Sequence, residues 1–375
     1  MDKPIIYLDH AATTASDEAV IAAMLECMRR VPFNASAAYG AAGEARKIHR
    51  LCRRQLASML RCDPQEIFFT SGGTESNNWA AASFSGSHMV LSAIEHHSVL
   101  EAARACASSV TLVSPDASGY VSPEAVAAAV RPDTRLVCLQ AANNETGVIQ
   151  PICDTYAIAR ARGIHMHVDA VQAFGHIPLS AAHCDSMSLS AHKLCGPRGI
   201  GALVIRSGAQ ISPLLHGGGQ ESGLRAGTEN TPAIRGFEIA AQMADDDMLL
   251  RMHREKAMLS QFETQILQRI PGAAVLGSSR ERLPGVTAIL LPALSAEEII
   301  AALDLQGILI SGGAACASHA GEPSHVYTAM GLTRQQAARV IRVSIGRHTT
   351  QDELDRAAQA IASLILPPAR QNTSR

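Results

Sequence analysis

The sequence predicts an α/β protein whose larger part is a mainly parallel sheet of seven strands and whose smaller part is a mixed α+β domain. Short apolar runs alternate with helical patterns between residues 67 and 205, as is typical of strands covered by helices on both faces. This alternation ends after Thr231-Pro232. With 375 residues, the chain also exceeds the usual size of one domain. We therefore expect a large domain over residues 15–255 and a small domain formed by residues 1–14 and 256–375.

The N-terminal part predicts one short strand followed by two helices. Residues 5–8 are apolar, as expected of a strand. Ser16 can cap a helix whose first turn carries Asp17 and Glu18, because acidic residues suit the positive end of a helix. A second helix is predicted over residues 44–60.

Seven short apolar runs predict the strands of the large sheet. Helical patterns lie between several of them, as in residues 152–162, where the pattern ends at Gly163. Strands joined by such helices run parallel, since each helix returns the chain to the same end of the sheet. The predicted strands are residues 67–70, 89–93, 110–113, 136–140, 165–168, 187–190 and 201–205.

Beyond Thr231-Pro232 the sequence predicts one long helical stretch that reaches about residue 269 and connects the two domains. Pro271-Gly272 ends this stretch. The residues that follow mix strand and helix patterns, which predicts the smaller α+β domain. Its predicted strands are residues 286–291, 308–310 and 341–345, and its predicted helices are residues 296–306 and 350–364.

The composition favours a soluble globular enzyme or binding protein and argues against several other classes of protein. The formal net charge is −2 and only 3% of the residues are aromatic, so the chain lacks the basic stripe and stacking aromatics of a nucleic-acid-binding surface. No apolar run is long enough to cross a bilayer. The nine cysteines form no C-x-x-C pair, which favours reduced thiols over disulfides or a zinc site. We therefore expect a cytoplasmic protein with no metal, nucleic-acid partner or membrane anchor.

Lys193 stands at the end of an apolar strand, where a lysine is unusual. Residues 187–190 precede it and the apolar run 200–205 follows, so the sequence predicts a lysine held between two core strands. Such a lysine tends to have a lowered pKa, and its amine can then attack a carbonyl group and form a Schiff base. The alternative is an exposed lysine on a loop, which is where most lysines lie.

Polar residues that follow other predicted strands supply what a pyridoxal phosphate site requires. Ligands of such sheets bind beyond the carboxyl ends of the strands. The turn at Gly73-Thr74 can hold a phosphate, Asp169 can pair with a pyridinium nitrogen, and the imidazole of His96 can lie against an aromatic ring. Taken singly, these residues could equally form a plain turn, a helix cap and a loop. Together with the amide residues 143–144 and Lys193, they predict a site for pyridoxal 5′-phosphate.

A set of short motifs extends over residues 7–347. It comprises LDHAATT at 8–14, HVDAVQ at 167–172, SAHK at 190–193 and RAGT at 225–228, with residues 70–78, 95–96, 143–147, 217–221 and 341–344 and Cys316 in a loop of small residues. In these motifs the chain resembles the cysteine desulfurases, which are enzymes of the class V aminotransferase group. The resemblance implies the architecture of a fold-type I PLP-dependent transferase and the cofactor pyridoxal 5′-phosphate.

The resemblance also implies a role for each residue of the site. Lys193 would carry the cofactor as a Schiff base, Asp169 would pair with the pyridine nitrogen, and Gln172 would contact the ring oxygen. His96 would stack on the ring. The residues implied at the cofactor phosphate are Gly73, Thr74, Ser190 and His192, with Thr228 supplied by a second subunit, and those implied at the substrate carboxylate are Asn144, which also contacts the cofactor, and Arg342.

Cys316 is the residue that distinguishes a desulfurase from its relatives. It lies among small residues at 311–318, which predicts an accessible thiol, whereas Cys138 and Cys153 are predicted to be small buried residues on apolar elements. Some positions depart from the family pattern. They are Tyr39 in place of a common histidine, Gly73 in place of an alanine, and Ala314 and Ala317 in place of hydroxyl residues.

The activity implied by the resemblance is conversion of L-cysteine to L-alanine with a persulfide left on Cys316. Lys193 would remove the α-proton and His96 would handle the thiol proton. The implied partners are a second copy in a homodimer and a sulfur-acceptor protein, such as an iron–sulfur scaffold, in iron–sulfur cluster or thio-cofactor assembly. The alternatives are a selenocysteine lyase or another class V aminotransferase, in which Cys316 is incidental, and a PLP-bound scaffold that docks sulfur-accepting proteins.

Overall fold

In a computed structural model, which describes residues 5–313 and 323–366, the chain folds into three sheets and the helices that cover them. The strands are β1 (Ile6–Tyr7), β2 (Ile67–Thr70), β3 (His88–Ser92), β4 (Ser109–Val113), β5 (Thr134–Cys138), β6 (His165–Asp169), β7 (Ser186–Ser190), β8 (Gly201–Ile205), β9 (Ala274–Val275), β10 (Val286–Leu290), β11 (Ile308–Leu309) and β12 (Val340–Ser344). The helices are α1 (Glu18–Arg30), α2 (Ala42–Leu60), α3 (Gly73–Ala82), α4 (His97–Cys106), α5 (Pro123–Ala129), α6 (Ile152–Ala161), α7 (Thr231–Asp246), α8 (Met248–Arg269), α9 (Ala296–Asp304), α10 (His325–Ala329), α11 (Arg334–Ala337) and α12 (Gln351–Ile365).

The large sheet has seven strands in the order β2-β8-β7-β6-β5-β3-β4. Each of the seven predicted runs overlaps one of these strands, so the predicted mainly parallel sheet is confirmed. β8 is antiparallel to both of its neighbours, and the remaining neighbouring pairs are parallel. β8 is buried along its whole length, which explains why it is apolar without alternation, whereas β7 is equally buried but alternates serines with Met187 and Leu189.

The carboxyl ends of five strands position the site. β2, β3, β5, β6 and β7 all run in the same direction, so the residues that follow them meet at one edge of the sheet. The helices that connect these strands return the chain to the opposite edge of the sheet. One of them is α5, which begins at Pro123. The predicted gathering of polar residues at the strand ends is therefore present.

The helical stretch predicted after Thr231-Pro232 is present, but it consists of two helices. α7 ends at Asp246 and α8 begins at Met248, with Asp247 in a non-helical conformation between them. Three successive acidic residues end α7 at its negative pole, where carboxylates are unfavourable. Asp247 also accepts a hydrogen bond from Arg251 at 2.7 Å, which draws it towards the next helix.

The residues beyond α8 build two smaller sheets. β12, β10 and β9 form an antiparallel sheet, and β1 pairs in parallel with β11. Ile6 and Leu8 are buried in a hydrophobic cluster whose other members lie between residues 259 and 362. The N-terminal strand thus packs with the C-terminal elements, as the predicted small domain requires. The domain boundaries themselves stay a prediction, and the boundary at residue 255 would fall inside α8.

Within residues 5–313 and 323–366, no helix combines the length and the apolar composition needed to span a bilayer.

Candidate active site

A cavity of about 260 Å³ lies at the carboxyl edge of the large sheet. Most of the residues predicted to bind the cofactor line it, although they come from separate parts of the sequence. They are Gly73, Thr74, His96, Asn144, Asp169, Gln172, Ser190, His192 and Lys193. The strand ends therefore bring the predicted residues together in one place.

Lys193 enters this cavity from a single 3₁₀ turn, residues Ala191–Lys193, that follows β7 directly. Its ammonium nitrogen donates hydrogen bonds to the backbone oxygens of Ala11 at 2.5 Å and Ala12 at 2.7 Å. These carbonyls belong to the LDHAATT motif at 8–14, to which the sequence analysis assigned no role in the site. They hold the end of a flexible side chain in one position inside the cavity.

Asp169 is the last residue of β6 and is 8% exposed. Its Oδ2 accepts a hydrogen bond from Asn77 Nδ2 at 2.7 Å, and its Oδ1 accepts one from the backbone of Val171 at 2.9 Å. Asn77 Oδ1 lies 3.0 Å from His167 Nε2, and burial lowers the pKa of His167 to about 3, so this histidine is neutral. The carboxyl group is thereby fixed at the cavity wall by uncharged partners.

Asn77 was missed in the sequence analysis. It lies on α3 one turn after the glycine turn, on the same helix face as Thr74. This spacing was the available signal, since a helix that begins at a binding turn points successive residues of one face at the same ligand.

His96 caps the N-terminus of α4. Its Nδ1 accepts a hydrogen bond from the backbone of Ser98 at 3.1 Å, which leaves the ring proton on Nε2. Burial is the largest cause that lowers the pKa of His96, while Asp169 opposes the shift and Lys193 adds to it. His96 is therefore a neutral imidazole at the cavity wall.

One end of the cavity carries the features of an anion site. Thr74, Ser190 and His192 surround the start of α3, where the first backbone N–H groups of a helix have no intrahelical acceptor. A neighbouring cavity of about 400 Å³ shares these residues and adds Thr13 and Arg198. Burial, with the charge of Lys193, lowers the pKa of His192 to about 4, so its ring is neutral and acts through hydrogen bonds.

Arg342 and Thr228 do not line the cavity. Arg342 is 1% exposed, and its Nη1 donates to the backbone oxygen of Asn144 at 3.0 Å, so it lies directly behind a cavity residue. Thr228 is exposed in a segment tied to α3 by the bidentate pair between Arg225 and Glu75, with N···O distances of 2.8 and 3.1 Å.

The burial of the cysteines agrees with the prediction only in part. Cys138 is buried as predicted, but the prediction for Cys153 is wrong because this residue is exposed on the first turn of α6. Cys316, Ala314 and Ala317 lie outside the described residues. Within the part of the chain that the structure describes, no three histidine, cysteine or acidic side chains are placed to share a metal ion.

The family model described as aminotransferase class-V matches residues 6–357. The chain belongs to this family. Its relatives include a protein named cysteine desulfurase IscS from Methanosarcina thermophila, which is 37% identical over 374 residues and aligns over 96% of this chain and 92% of its own. A protein named cysteine desulfurase 2 from Trichormus variabilis is 39% identical over 371 residues, with 96% and 93% of the two chains aligned.

Solved structures agree with this assignment. A NifS-like protein superimposes with a TM-score of 0.89 at 33% identity and covers 96% of this chain and 99% of its own. A structure described as SspA in complex with cysteine gives a TM-score of 0.80 at 32% identity and covers 92% and 99%. The predicted family and fold are confirmed, and the chain is a pyridoxal-phosphate-dependent enzyme.

The cavity fits this cofactor on its own chemistry. It offers an anion site at the start of α3, a fixed carboxyl group at Asp169, an amine at Lys193 and a neutral imidazole at His96. The wall beside α3 is closely packed, since a Cβ atom on Gly73 would lie 2.6 Å from Val171 Cγ2. The glycine found here in place of the family's alanine therefore accommodates Val171.

Gly73→Ala is expected to destabilise the protein, because the added methyl group and Val171 Cγ2 cannot occupy their present positions together. Overpacking of this kind costs about 1–3 kcal/mol. The free energy of unfolding in urea measures the loss. Val171→Ala is the matched control, since it removes the colliding atom. The double variant should be no less stable than Val171→Ala alone, whereas simple addition of the two losses would contradict the packing argument.

Proposed function

We propose that this chain is a cysteine desulfurase that converts L-cysteine to L-alanine and leaves the sulfur as a persulfide on Cys316. The observation that carries the proposal is the meeting of Lys193, Asp169 and His96 in one cavity of a chain whose relatives bear that name. The reaction balances without an external oxidant. The substrate's C–S bond breaks and an S–S bond forms, so L-cysteine and the Cys316 thiol give L-alanine and the Cys316 persulfide.

The cavity residues hold the cofactor in the roles that the family implies. Asp169 pairs with the ring nitrogen, while Gln172, whose side chain also donates to the Ala11 oxygen at 2.9 Å, contacts the ring oxygen. Thr74, Ser190 and His192 bind the phosphate. When bound, pyridoxal phosphate supplies the electron sink that weakens the bond between the α-carbon and its hydrogen.

Lys193 holds the cofactor covalently and moves the proton at the substrate α-carbon. The oxygens of Ala11 and Ala12 keep its nitrogen inside the cavity, so the amine returns to the same place after each turnover. A base fixed within reach of the proton it removes contributes by position as well as by basicity.

His96 exchanges a proton with the substrate sulfur. Because the Ser98 backbone donates to Nδ1, the neutral ring carries its proton on Nε2. The ring therefore presents Nε2–H towards the cavity as a hydrogen-bond donor, and its lowered pKa favours return to this neutral form whenever it has taken up the thiol proton. Asn144 and Arg342 bind the substrate carboxylate, for which a planar guanidinium is well suited.

A homodimer would complete the site. Thr228, implied at the phosphate, is exposed and lies off this chain's cavity, as expected of a residue that serves a second copy. Helix α1 also presents Ile21, Leu25 and Met28, which are 38%, 47% and 60% exposed, in one apolar stripe. A monomeric mass for the active holoenzyme in sedimentation equilibrium would contradict this arrangement.

The sulfur acceptor is proposed to be a protein of iron–sulfur cluster or thio-cofactor assembly in the cytoplasm. All eight cysteines among the described residues are free, which suits a reducing compartment. The persulfide sulfur then passes by attack of an acceptor thiolate, and the Cys316 thiol is regenerated.

The test is to incubate the holoenzyme with L-cysteine and a thiol reductant and to quantify alanine and sulfide. A desulfurase forms the two in equal amounts without a keto acid. Formation of 3-mercaptopyruvate that depends on an added keto acid would support an aminotransferase instead. Selenide release from L-selenocysteine without alanine from L-cysteine would indicate a selenocysteine lyase. Absence of turnover with every substrate would support the remaining alternative, a PLP-bound scaffold that docks sulfur-accepting proteins.

A further inference from the structure

Two threonines of the N-terminal segment hold His192. The backbone oxygen of His192 accepts hydrogen bonds from the Thr14 hydroxyl at 2.7 Å and from the Thr14 backbone N–H at 3.1 Å. The ring nitrogen Nδ1 of His192 lies 3.2 Å from the hydroxyl oxygen of Thr13. One short segment therefore fixes both the backbone and the ring of a residue that lines the cavity.

The Thr13 hydroxyl has a second neighbour that limits its role in these bonds. Arg198 Nε donates a hydrogen bond to Thr13 Oγ1 at 3.4 Å. A guanidinium group has donors and no acceptor, so the Thr13 oxygen accepts this bond. The hydroxyl group still has its own proton to donate, and His192 Nδ1 is within reach of it. In a histidine, the bond made by one ring nitrogen determines which nitrogen carries the proton.

We propose that Thr13 is a positioning residue that keeps the single proton of the His192 ring on Nε2, so that Nε2 donates a hydrogen bond to the cofactor phosphate. If Nδ1 carried the proton instead, Nε2 would direct a lone pair at a phosphate dianion, and the contact would be repulsive. This inference rests on the proposed function in one respect, since it takes His192 as a residue that binds the phosphate.

The position of His192 explains why its tautomer matters. His192 lines the cavity of about 260 Å³ and also the neighbouring cavity of about 400 Å³, which contains Thr13 and Arg198. Burial is the largest cause that lowers the pKa of His192 to about 4, and the charges of Lys193 and Arg198 add to it. A ring with one proton can donate to the phosphate only through the nitrogen that carries this proton. The tautomer therefore decides whether the ring attracts or repels the anion.

Thr13 is itself held in place by its surroundings. Its backbone oxygen accepts a hydrogen bond from the Tyr7 hydroxyl at 2.8 Å. The next residue is fixed as well, because the Thr14 hydroxyl also accepts a hydrogen bond from the Cys195 backbone at 2.8 Å. The backbone on both sides of the Thr13 side chain is thus tied down, and the hydroxyl group meets the His192 ring in a defined position.

The first test compares two ligands of the full-length apoenzyme, pyridoxal 5′-phosphate and pyridoxal, which lacks the phosphate. Their Kd values are measured from the change in absorbance on binding. Thr13→Val removes the hydroxyl group and keeps a branched side chain. It should raise the Kd of pyridoxal 5′-phosphate by about tenfold, since a hydrogen bond to a charged group is lost, and leave the Kd of pyridoxal unchanged. Thr13→Ser retains a hydroxyl group and should bind both ligands as the wild type does.

The second test observes the tautomer directly. Long-range proton–nitrogen NMR of the holoenzyme labelled at its histidines distinguishes a protonated Nε2 from a protonated Nδ1, and comparison with His192→Ala assigns the signals. The wild type and Thr13→Ser should show the proton on Nε2 of His192. A wild-type ring with its proton on Nδ1 would overturn the inference.

Thr111→Val is the matched control for the binding experiment. Thr111 Oγ1 lies 2.9 Å from His88 Nε2, so this pair has the same chemistry, but Thr111 is on β4 and outside both cavity linings. Its replacement should leave both Kd values unchanged. His192→Ala tests the premise and should weaken the binding of pyridoxal 5′-phosphate at least as much as Thr13→Val does.

The remaining outcomes separate the inference from the proposals on which it depends. Weaker binding of pyridoxal 5′-phosphate by His192→Ala but not by Thr13→Val would overturn the inference, as would an equal loss of both ligands in Thr13→Val. Unchanged binding by His192→Ala would overturn the role proposed for His192 and the inference with it. Absence of alanine formation from L-cysteine by the wild-type holoenzyme would overturn the proposed activity, whereas the selective loss of pyridoxal 5′-phosphate binding would still support the role of Thr13.

Discussion

Lys193→Ala is expected to lower the rate of alanine formation from L-cysteine by at least about 10³-fold, because it removes both the covalent anchor and the base of the reaction. Among the described residues, the side chain is the one amine that lines the cavity, and its nitrogen is held by two backbone oxygens of the N-terminal segment. Single-turnover kinetics with saturating cofactor measures the loss. Borohydride reduction followed by peptide mapping should place the cofactor on Lys193 in the wild type and on no lysine in the variant.

Lys256→Ala is the control for this experiment. Lys256 is an exposed lysine on α8, away from the cavity lining, so its replacement should leave both the rate and the labelling unchanged. Near-wild-type turnover by Lys193→Ala, or cofactor trapped on another lysine in the wild type, would exclude Lys193 as the anchor.

Cys316→Ser is the second variant with a large expected effect. It should reduce sulfide and alanine formation by at least about 10³-fold, since a serine hydroxyl is a far weaker nucleophile towards sulfur than a thiolate. The visible absorbance of the bound cofactor should persist, because none of the residues proposed to hold it has changed. Loss of activity with retained cofactor absorbance would show that Cys316 accepts the sulfur and is not needed to bind the cofactor.

Cys153→Ser provides the comparison for Cys316→Ser. Cys153 is the one cysteine among the described residues that is classed as exposed, so it is the alternative thiol to exclude. We expect Cys153→Ser to retain wild-type activity. Undiminished sulfide release by Cys316→Ser would show that Cys316 is not the acceptor.

Much of the large sheet was predictable because strands such as β3 and β8 are buried along their whole length and therefore read as nearly continuous apolar runs. The antiparallel direction of β8 was not, since the apolar pattern of a strand is the same in either direction. The break at Asp247 was missed for a related reason. The helical periodicity continues on both sides of it, and only the local run of acidic residues and the tertiary contact with Arg251 mark the end of α7.

The site was predictable where a functional residue lies at or just after the end of a predicted strand. Lys193, Asp169 and His96 do so, and the structure brings them to one cavity. Asn77 was not singled out, because its importance comes from a partner far away in the sequence, at Asp169. The exposure of Cys153 likewise depends on which face of α6 packs inward, and the buried residues of that helix are Thr155 and Ala159.

Intact and peptide mass spectrometry of the holoenzyme after exposure to L-cysteine, without reductant, tests the central claim most directly. The account predicts one added sulfur atom on the peptide that contains Cys316, removable by a thiol reductant, with one alanine formed per sulfur. The added sulfur should be absent after exposure to L-serine. Alanine formation with the sulfur on Cys153, or with no sulfur retained on the chain, would contradict it.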